Sequence, residues 1–264
     1  MKAAEAIWQS LSAVRAEAPL VHNITNFVVM NPTASKALAV GASPVMVHAA
    51  EEVEQMTAMA RALVVNLGTL SPPWATAMRL AVARAGTAGT PWVLDPVGVG
   101  ALAWRTGIAA ELIRQQPAAV RGNGSEILAL AGAAGAAGKG VDSRHDSAAA
   151  VDIARGLARA TGAVVAITGR VDYVTDGERQ VAIANGHPLM ARVTGLGCTA
   201  TALVGAFCAV EADRLAATAH APAMPSTARA WAAERAAGPG SLQVGLLDAL
   251  YTLDLDTIRQ RERI

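Results

Sequence analysis

Leu63-Val64-Val65-Asn66, then a helix-length stretch, then Trp92-Val93-Leu94-Asp95: this part of the sequence decides the fold. A short run of apolar, largely β-branched residues bounded by turn signals reads as a strand buried on both faces. The same unit recurs outward in both directions, as Leu20-Val21-His22 and Pro44-Val45-Met46-Val47 before it and as Ala118-Ala119-Val120 and Val164-Val165-Ala166-Ile167 after it. Each run is followed by a helix candidate. Repeated βα units imply the α/β class, with a mostly parallel central sheet covered by helices on both faces. Residues 171–175 and 180–184 flank Asp176-Gly177, a favoured hairpin turn, so an antiparallel pair is expected to extend one edge. An amphipathic helix through Glu5 and Arg15 is expected at the start of the chain. The small-residue stretch 129–140 and the segment 216–227, which carries Pro222 and Pro225, read as flexible surface connections. Helical spacing resumes over 228–251.

The 264 residues are 53% hydrophobic and 16% charged, which allows a large core, and the length fits a single α/β domain over 1–264. Lys plus Arg number 22 against 21 for Asp plus Glu, so the net charge of +1 offers no field for a polyanion and nucleic acid is not an expected partner. No stretch reaches ~20 apolar residues without charge or glycine, and the first residues lack the apolar core of a signal peptide. A cytoplasmic protein with no membrane partner is expected. Cys198 and Cys208 are the only cysteines. Ten residues apart on one expected helix, they lie about 80° apart in rotation and too far apart in height to bridge. His22, His48, His145, His187 and His220 are scattered without metal-ligand spacing.

In open α/β sheets ligands sit beyond the carboxyl ends of the strands, so the polar residues that terminate these runs carry the chemistry. They are Asn66-Leu67-Gly68-Thr69, Asp95-Pro96-Val97-Gly98-Val99-Gly100, Arg121-Gly122-Asn123-Gly124-Ser125-Glu126 and Thr168-Gly169-Arg170. Asn123 and Glu126 have the spacing of an N-cap and its capping-box partner, a role compatible with metal work because both direct Glu126 to the same helix end. Asp95 and Glu126 offer hard oxygen ligands for Mg²⁺, which takes one or two carboxylates alongside phosphate oxygens and water. Arg121 would neutralise phosphate charge. Thr194-Gly195-Leu196-Gly197-Cys198-Thr199-Ala200 sets a thiol in the first turn of an apolar helix expected over 198–211. The unpaired amides there form an anion cradle. In that field Cys198 is expected to ionise more readily than its free value of roughly 8.5 and to act as a base or nucleophile. Carboxylates, an arginine and a glycine-lined helix start together imply phosphoryl transfer, where positioning and charge stabilisation supply most of the catalysis. Gly138-Lys139 fails the P-loop pattern at both ends, since 133 is Ala and 140 is Gly. Gly195 to Ala200 matches the relaxed dinucleotide fingerprint G-x-G-x-x-A only formally, because helix follows rather than a strand ending in an acid.

Taken in order, Pro19-Leu20-Val21-His22-Asn23-Ile24-Thr25-Asn26, Gly41-Ala42-Ser43-Pro44-Val45-Met46, Leu94-Asp95-Pro96-Val97-Gly98, the 121–126 motif, Ile167-Thr168-Gly169 and Val193-Thr194-Gly195-Leu196-Gly197-Cys198 resemble the hydroxyethylthiazole kinase family of the ribokinase-like group, over nearly the whole chain. The resemblance implies a ribokinase-like fold and ATP-dependent phosphorylation of the primary alcohol of 4-methyl-5-(2-hydroxyethyl)thiazole in thiamine salvage, with Mg²⁺, by a homotrimer with active sites at subunit interfaces. It also implies roles. Met46 and Gly195 would contact the thiazole, with Asn26 lining the same pocket; Arg121 and Thr168 would contact ATP; Asp95 and Glu126 would serve the Mg²⁺-phosphate region; Cys198 would sit beside the substrate hydroxyl, where sugar kinases of the wider group carry an aspartate base. Leu196 stands where the family pattern leads one to expect a small polar residue. The residues themselves leave plainer roles open: Met46 as a core gap-filler, Thr168 as a capping hydroxyl, Gly195 as a glycine needed only for its backbone angles. Rival functions are another ribokinase-like kinase acting on hydroxymethylpyrimidine or pyridoxal, a nicotinamide-nucleotide hydrate dehydratase, and a non-catalytic binding protein.

Overall fold

The computed structural model describes residues 3–136, 147–184, 188–261 and 264. Helix α1 (Ala3–Glu17) leads into alternating units: β1 (Leu20–Ile24), α2 (Met30–Ala39), β2 (Ser43–Val45), α3 (Val53–Met59), β3 (Ala62–Asn66), α4 (Pro72–Ala88), β4 (Trp92–Asp95), α5 (Ala103–Leu112), β5 (Ala119–Asn123), α6 (Gly124–Ala133), α7 (Ser147–Thr161) and β6 (Val164–Thr168). The hairpin β7 (Asp172–Thr175) and β8 (Gln180–Ile183) follows, and α8 (Leu196–Cys208), α9 (Arg214–Ala233), α10 (Pro239–Thr252) and α11 (Leu255–Arg261) complete the chain. The eight strands form one sheet in the order β2-β1-β3-β4-β5-β6-β7-β8. β2 to β6 are parallel, and β7 and β8 are antiparallel, as the Asp176-Gly177 turn implies. Asp176 Oδ1 accepts from the backbone amides of Glu178 and Arg179, and Gly177 takes φ +99°.

Side chains alternate across a strand, so each central strand feeds two cores. Ala62 and Val64 of β3, with Val21, Val93, Ala119 and Val164, face α1, α2 and α8 to α11; Leu63 and Val65, with Leu94, Val120 and Val165, face α3 to α7. Helix α8 lies directly on the first of these faces. A Cβ on its Gly205 would run into Val64 Cγ2, so glycine there lets the helix backbone approach β3. Chain order departs from spatial order at β1: the chain goes out to β2, then crosses back over β1 to β3. The crevice between the carboxyl ends of β1 and β3 is therefore the topological switch point, where ligands bind in such sheets.

One expected connection proves to be helix throughout, and the other does so in its first five residues, 129–133. α6 runs to Ala133, because an Ala- and Leu-rich stretch has high helix propensity and Leu130 and Ala131 are buried. Residues 137–140 of that stretch lie outside the described residues, as do Gly138-Lys139, His145 and His187. The segment 216–227 is the middle of α9. Ala217, Ala219, Ala221, Ala223 and Met224 are all 2% exposed or less, so burial between α8 and α10 overrides the interior proline penalty of ~3 kcal/mol. Among the described residues no helix is long and apolar enough to cross a membrane.

Candidate active site

Four buried asparagine, aspartate and arginine side chains meet the first turn of α8 at the switch point. Asn26, two residues past β1, donates from Nδ2 to Asn66 Oδ1 at 2.8 Å and reaches Cys198 Sγ at 3.6 Å. Its own Oδ1 accepts from the Val28 amide at 3.1 Å. Asn66 ends β3, level with Asp95 at the end of β4, and donates from Nδ2 to Asp95 Oδ2 at 2.6 Å. The Asn66 amide also stands near enough to the Cys198 thiol to favour its charged form, and its Oδ1 accepts from the Gly68 amide at 2.9 Å. Arg121, 5% exposed on β5, donates from Nη1 to the Gly197 carbonyl at 2.8 Å. Its Nε is buried with no protein partner. Thr201, one turn along α8, donates from Oγ1 to the Gly197 carbonyl at 3.4 Å and stands near enough to Asp95 to favour its charged form.

The start of α8 is built for close approach. Gly195 is the N-cap with φ +78°, a left-handed conformation that glycine alone takes readily, and a Cβ there would strike Val29 Cγ1. No side chain caps this end. The Gly195 carbonyl accepts from the Thr199 amide at 3.0 Å, while the amides of the preceding turn lack intrahelical partners. Leu196 turns into the core at 9% exposure, so it leaves those amides uncovered. Lys36 of α2, 3% exposed, donates to Thr199 Oγ1 at 3.1 Å beneath the turn.

Electrostatics here correct one expectation. Burial pushes the Cys198 thiol up to about 11, and the Asp95 charge adds to the rise; hydrogen bonds from Asn66 and Asn26 and the Arg121 charge oppose it without prevailing. The helix start does not make Cys198 a ready thiolate, because desolvation outweighs the dipole. Asp95 is pushed up to about 6, first by burial and further by Glu126, against the pull of Arg121, Thr201 and Asn66.

Glu126 forms the full capping box of α6: its Oε2 accepts from the Asn123 amide and the Asn123 side chain accepts from the Glu126 amide, both at 2.9 Å. Its Oε1 accepts from the Gly98 amide at 2.9 Å, tying the 97–100 turn to the same point. Asp95 and Glu126 thus stand near one another with hard oxygen atoms, although no group of three His, Cys, Asp or Glu side chains suited to a metal occurs among the described residues. Two carboxylates fit Mg²⁺, which relies on phosphate and water for its remaining positions. Thr168 ends β6 opposite Asn123, half-buried at the same edge. Met46 stands just past β2, half-buried and packed into neither core, so the gap-filling role does not hold for it.

The sequence marks Asn66 as a polar strand-end residue but assigns it no specific role, and it gives Thr201 none at all, because its helix is apolar nearly throughout.

The hydroxyethylthiazole kinase family model matches residues 11–256. The hydroxyethylthiazole kinase of Granulibacter bethesdensis is 58% identical, over 96% of this chain and 92% of that one. That of Nitratidesulfovibrio vulgaris strain Miyazaki F is 55% identical, over 98% and 97%. Among solved structures, the hydroxyethylthiazole kinase protein of Pyrococcus horikoshii superposes with a TM-score of 0.92 at 44% identity, covering 98% of each chain. The pyridoxal kinase of Staphylococcus aureus shares the fold at 15% identity, with a TM-score of 0.64 over 80% of this chain and 87% of that one.

Proposed function

The chain belongs to the hydroxyethylthiazole kinase family, and we infer from that premise that it transfers the terminal phosphoryl group of ATP to the primary alcohol of 4-methyl-5-(2-hydroxyethyl)thiazole in thiamine salvage. The observation that carries this reading is the seat at the switch point, where Cys198 and Asn26 adjoin Asp95 and Arg121 at an uncapped helix start. A small, uncharged aromatic alcohol needs an apolar slot with few polar contacts, and Met46, Gly195 and Asn26 are the groups we assign to the thiazole. The first-turn amides of α8 would hold the phosphoryl oxygens as charge develops on them. Arg121 and Thr168 are assigned to ATP. Arg121 has a second task in this scheme, since its Nη1 already fixes the Gly197 carbonyl. Asp95 and Glu126 would hold Mg²⁺, which supplies neutralisation of phosphate charge when bound.

Cys198 is assigned to the alcohol. With its thiol pushed up to about 11, it carries a proton at neutral pH, so its work is to orient the hydroxyl rather than to remove its proton outright. A loose phosphoryl-transfer transition state tolerates that, because it asks little of a base.

The whole of 1–264 is read as one kinase domain acting as a homotrimer with shared sites. Supporting this, Phe27 and Val28 are 65% and 57% exposed directly after Asn26, which leaves apolar surface at the rim of the pocket for a neighbouring subunit. Cytoplasmic residence belongs to the same reading, because the reaction consumes ATP. A coupled assay of ADP release with Mg-ATP and hydroxyethylthiazole, run beside hydroxymethylpyrimidine and pyridoxal, tests the function. Release with the thiazole alcohol is expected; release with another alcohol instead, or with none, overturns it.

A further inference from the structure

We propose that Asn66 is a positioning residue for the transfer, its one amide joining Asn26, which reaches the thiol that faces the alcohol, to the carboxylate that faces the phosphates. The inference rests on the reading above that Cys198 lies beside the alcohol and Asp95 in the phosphate region.

Asn66 is 1% exposed, and its side chain is held by three hydrogen bonds. Oδ1 accepts from the Gly68 amide and from Asn26 Nδ2, and Nδ2 donates to Asp95 Oδ2 at 2.6 Å. Its orientation is fixed by chemistry. A backbone amide can only donate, so the atom facing Gly68 must be the oxygen and the nitrogen must face Asp95. A flip would set donor against donor at Gly68 and acceptor against carboxylate at Asp95. The same logic fixes Asn26, whose Oδ1 is claimed by the Val28 amide, leaving its Nδ2 to Asn66 and Cys198. Two backbone amides thus orient two side-chain amides, one toward Cys198 and the other toward Asp95.

Asn66 alone of these groups reaches both halves of the site. Its link to Asp95 is short because the two residues are direct partners in the β3–β4 register. Its link to Asn26 is tight because a Cβ on Gly68 would collide with the Asn26 side chain, so that turn must be glycine for the two asparagines to meet. Strand β3 therefore carries the distance between the acceptor at 198 and the carboxylate at 95 as a single rigid element. In-line transfer depends on that distance, since a misplacement of about 1 Å in a reacting pair costs on the order of 10²-fold in rate.

Asn66→Asp tests this, because it keeps the size of the side chain and both acceptor functions while removing both donors. The expected result is a kcat lower by about 10- to 100-fold, with the KM values for the thiazole alcohol and for ATP essentially unchanged. The thermal midpoint, measured on the same sample, reports the fold. Combined with Cys198→Ala, the Asp substitution should cost less than it does alone, since the two act through one chain of contacts by way of Asn26. If two adjacent carboxylates unfold that variant, Asn66→Ser, neutral and too short to span Asp95 and Asn26, gives the same readout. Parent kcat in the folded variant, a rise in both KM values with kcat intact, or a fully additive double variant would overturn the proposal. Cys198→Ala and Asp95→Asn run alongside separate the two possible failures. Parent turnover in both of those removes the underlying reading; lowered turnover in them with parent kcat in the Asn66 variants removes this inference alone.

Discussion

Position 198 receives a hydrogen bond from the Asn26 amide, so whatever stands there is asked to accept. A thiol does this weakly and a carboxylate strongly. Cys198→Ala is therefore expected to lower turnover by at most about 10²-fold, the lower end for proton-transfer assistance, and Cys198→Asp to keep activity. An alanine variant that turns over hydroxyethylthiazole at the parent rate would make Cys198 a packing residue. The raised thiol value has its own test: alkylation by iodoacetamide should be slow at pH 7 and climb until about pH 11, whereas a rate levelling off near pH 8 would contradict the burial argument. Glu126 offers a second residue-scale test. Its two oxygens accept from two different backbone amides, and a glutamine can satisfy just one of them with its oxygen. Glu126→Gln should cost about 1 kcal/mol in unfolding free energy along with its Mg²⁺-dependent turnover. Unchanged stability with lost turnover would mean that the amide rotates free of the cap.

At the scale of elements, α8 is seated by the absence of a side chain. Gly205→Ala adds a methyl group against Val64 and should destabilise the protein by about 1–3 kcal/mol, more than the ~1 kcal/mol that alanine gains in helix propensity. Denaturant unfolding measures it, and a stabilised variant would show that α8 can lift off β3 without cost. Strand β1 is pinned to its neighbours through His22. Its Nε2 lies 2.7 Å from the Val47 carbonyl, which can only accept, so Nε2 carries the proton and Nδ1 accepts from Thr57 Oγ1 at 3.0 Å. Burial lowers the pKa of His22, chiefly by desolvation, and His220 of α9 is lowered for the same reason. A group with a depressed folded value binds fewer protons when folded, so the stability that it contributes is present above pH 6.5 and lost as pH falls below it. Thermal midpoints should drop between pH 7 and pH 5, and less steeply in His22→Gln; identical slopes would remove His22 from the account.

For the molecule as a whole, light scattering at micromolar concentration is expected to return three times the chain mass of 26.9 kDa, and a single-chain mass would count against shared sites. Ion pairs such as Arg79 with Glu111 and Arg179 with Asp213 lie at the surface, where salt screens them, so the main stabilising term is the pair of cores on either face of the sheet. The strands of that sheet were legible in the sequence because periodicity, β-branching and turn residues are local properties; seven of the eight appear within a residue or two of their runs, and β5 continues three residues past its run to Asn123. So were the polar residues at the strand ends, since the polarity of a βα unit puts them on one edge wherever the unit sits. α9 was not legible. Its prolines are local and signal a break, whereas the burial that keeps it helical comes from α8 and α10. The same division holds in the site. The amino-acid order alone determined that a thiol begins an apolar helix and that Asn66 and Asp95 end neighbouring strands. The tertiary structure alone decided that Asn26, Asn66, Asp95 and Cys198 share one point, and that burial there drives the thiol up rather than down. Desolvation depends on every atom packed around a group, and that surrounding is assembled from segments far apart in the chain.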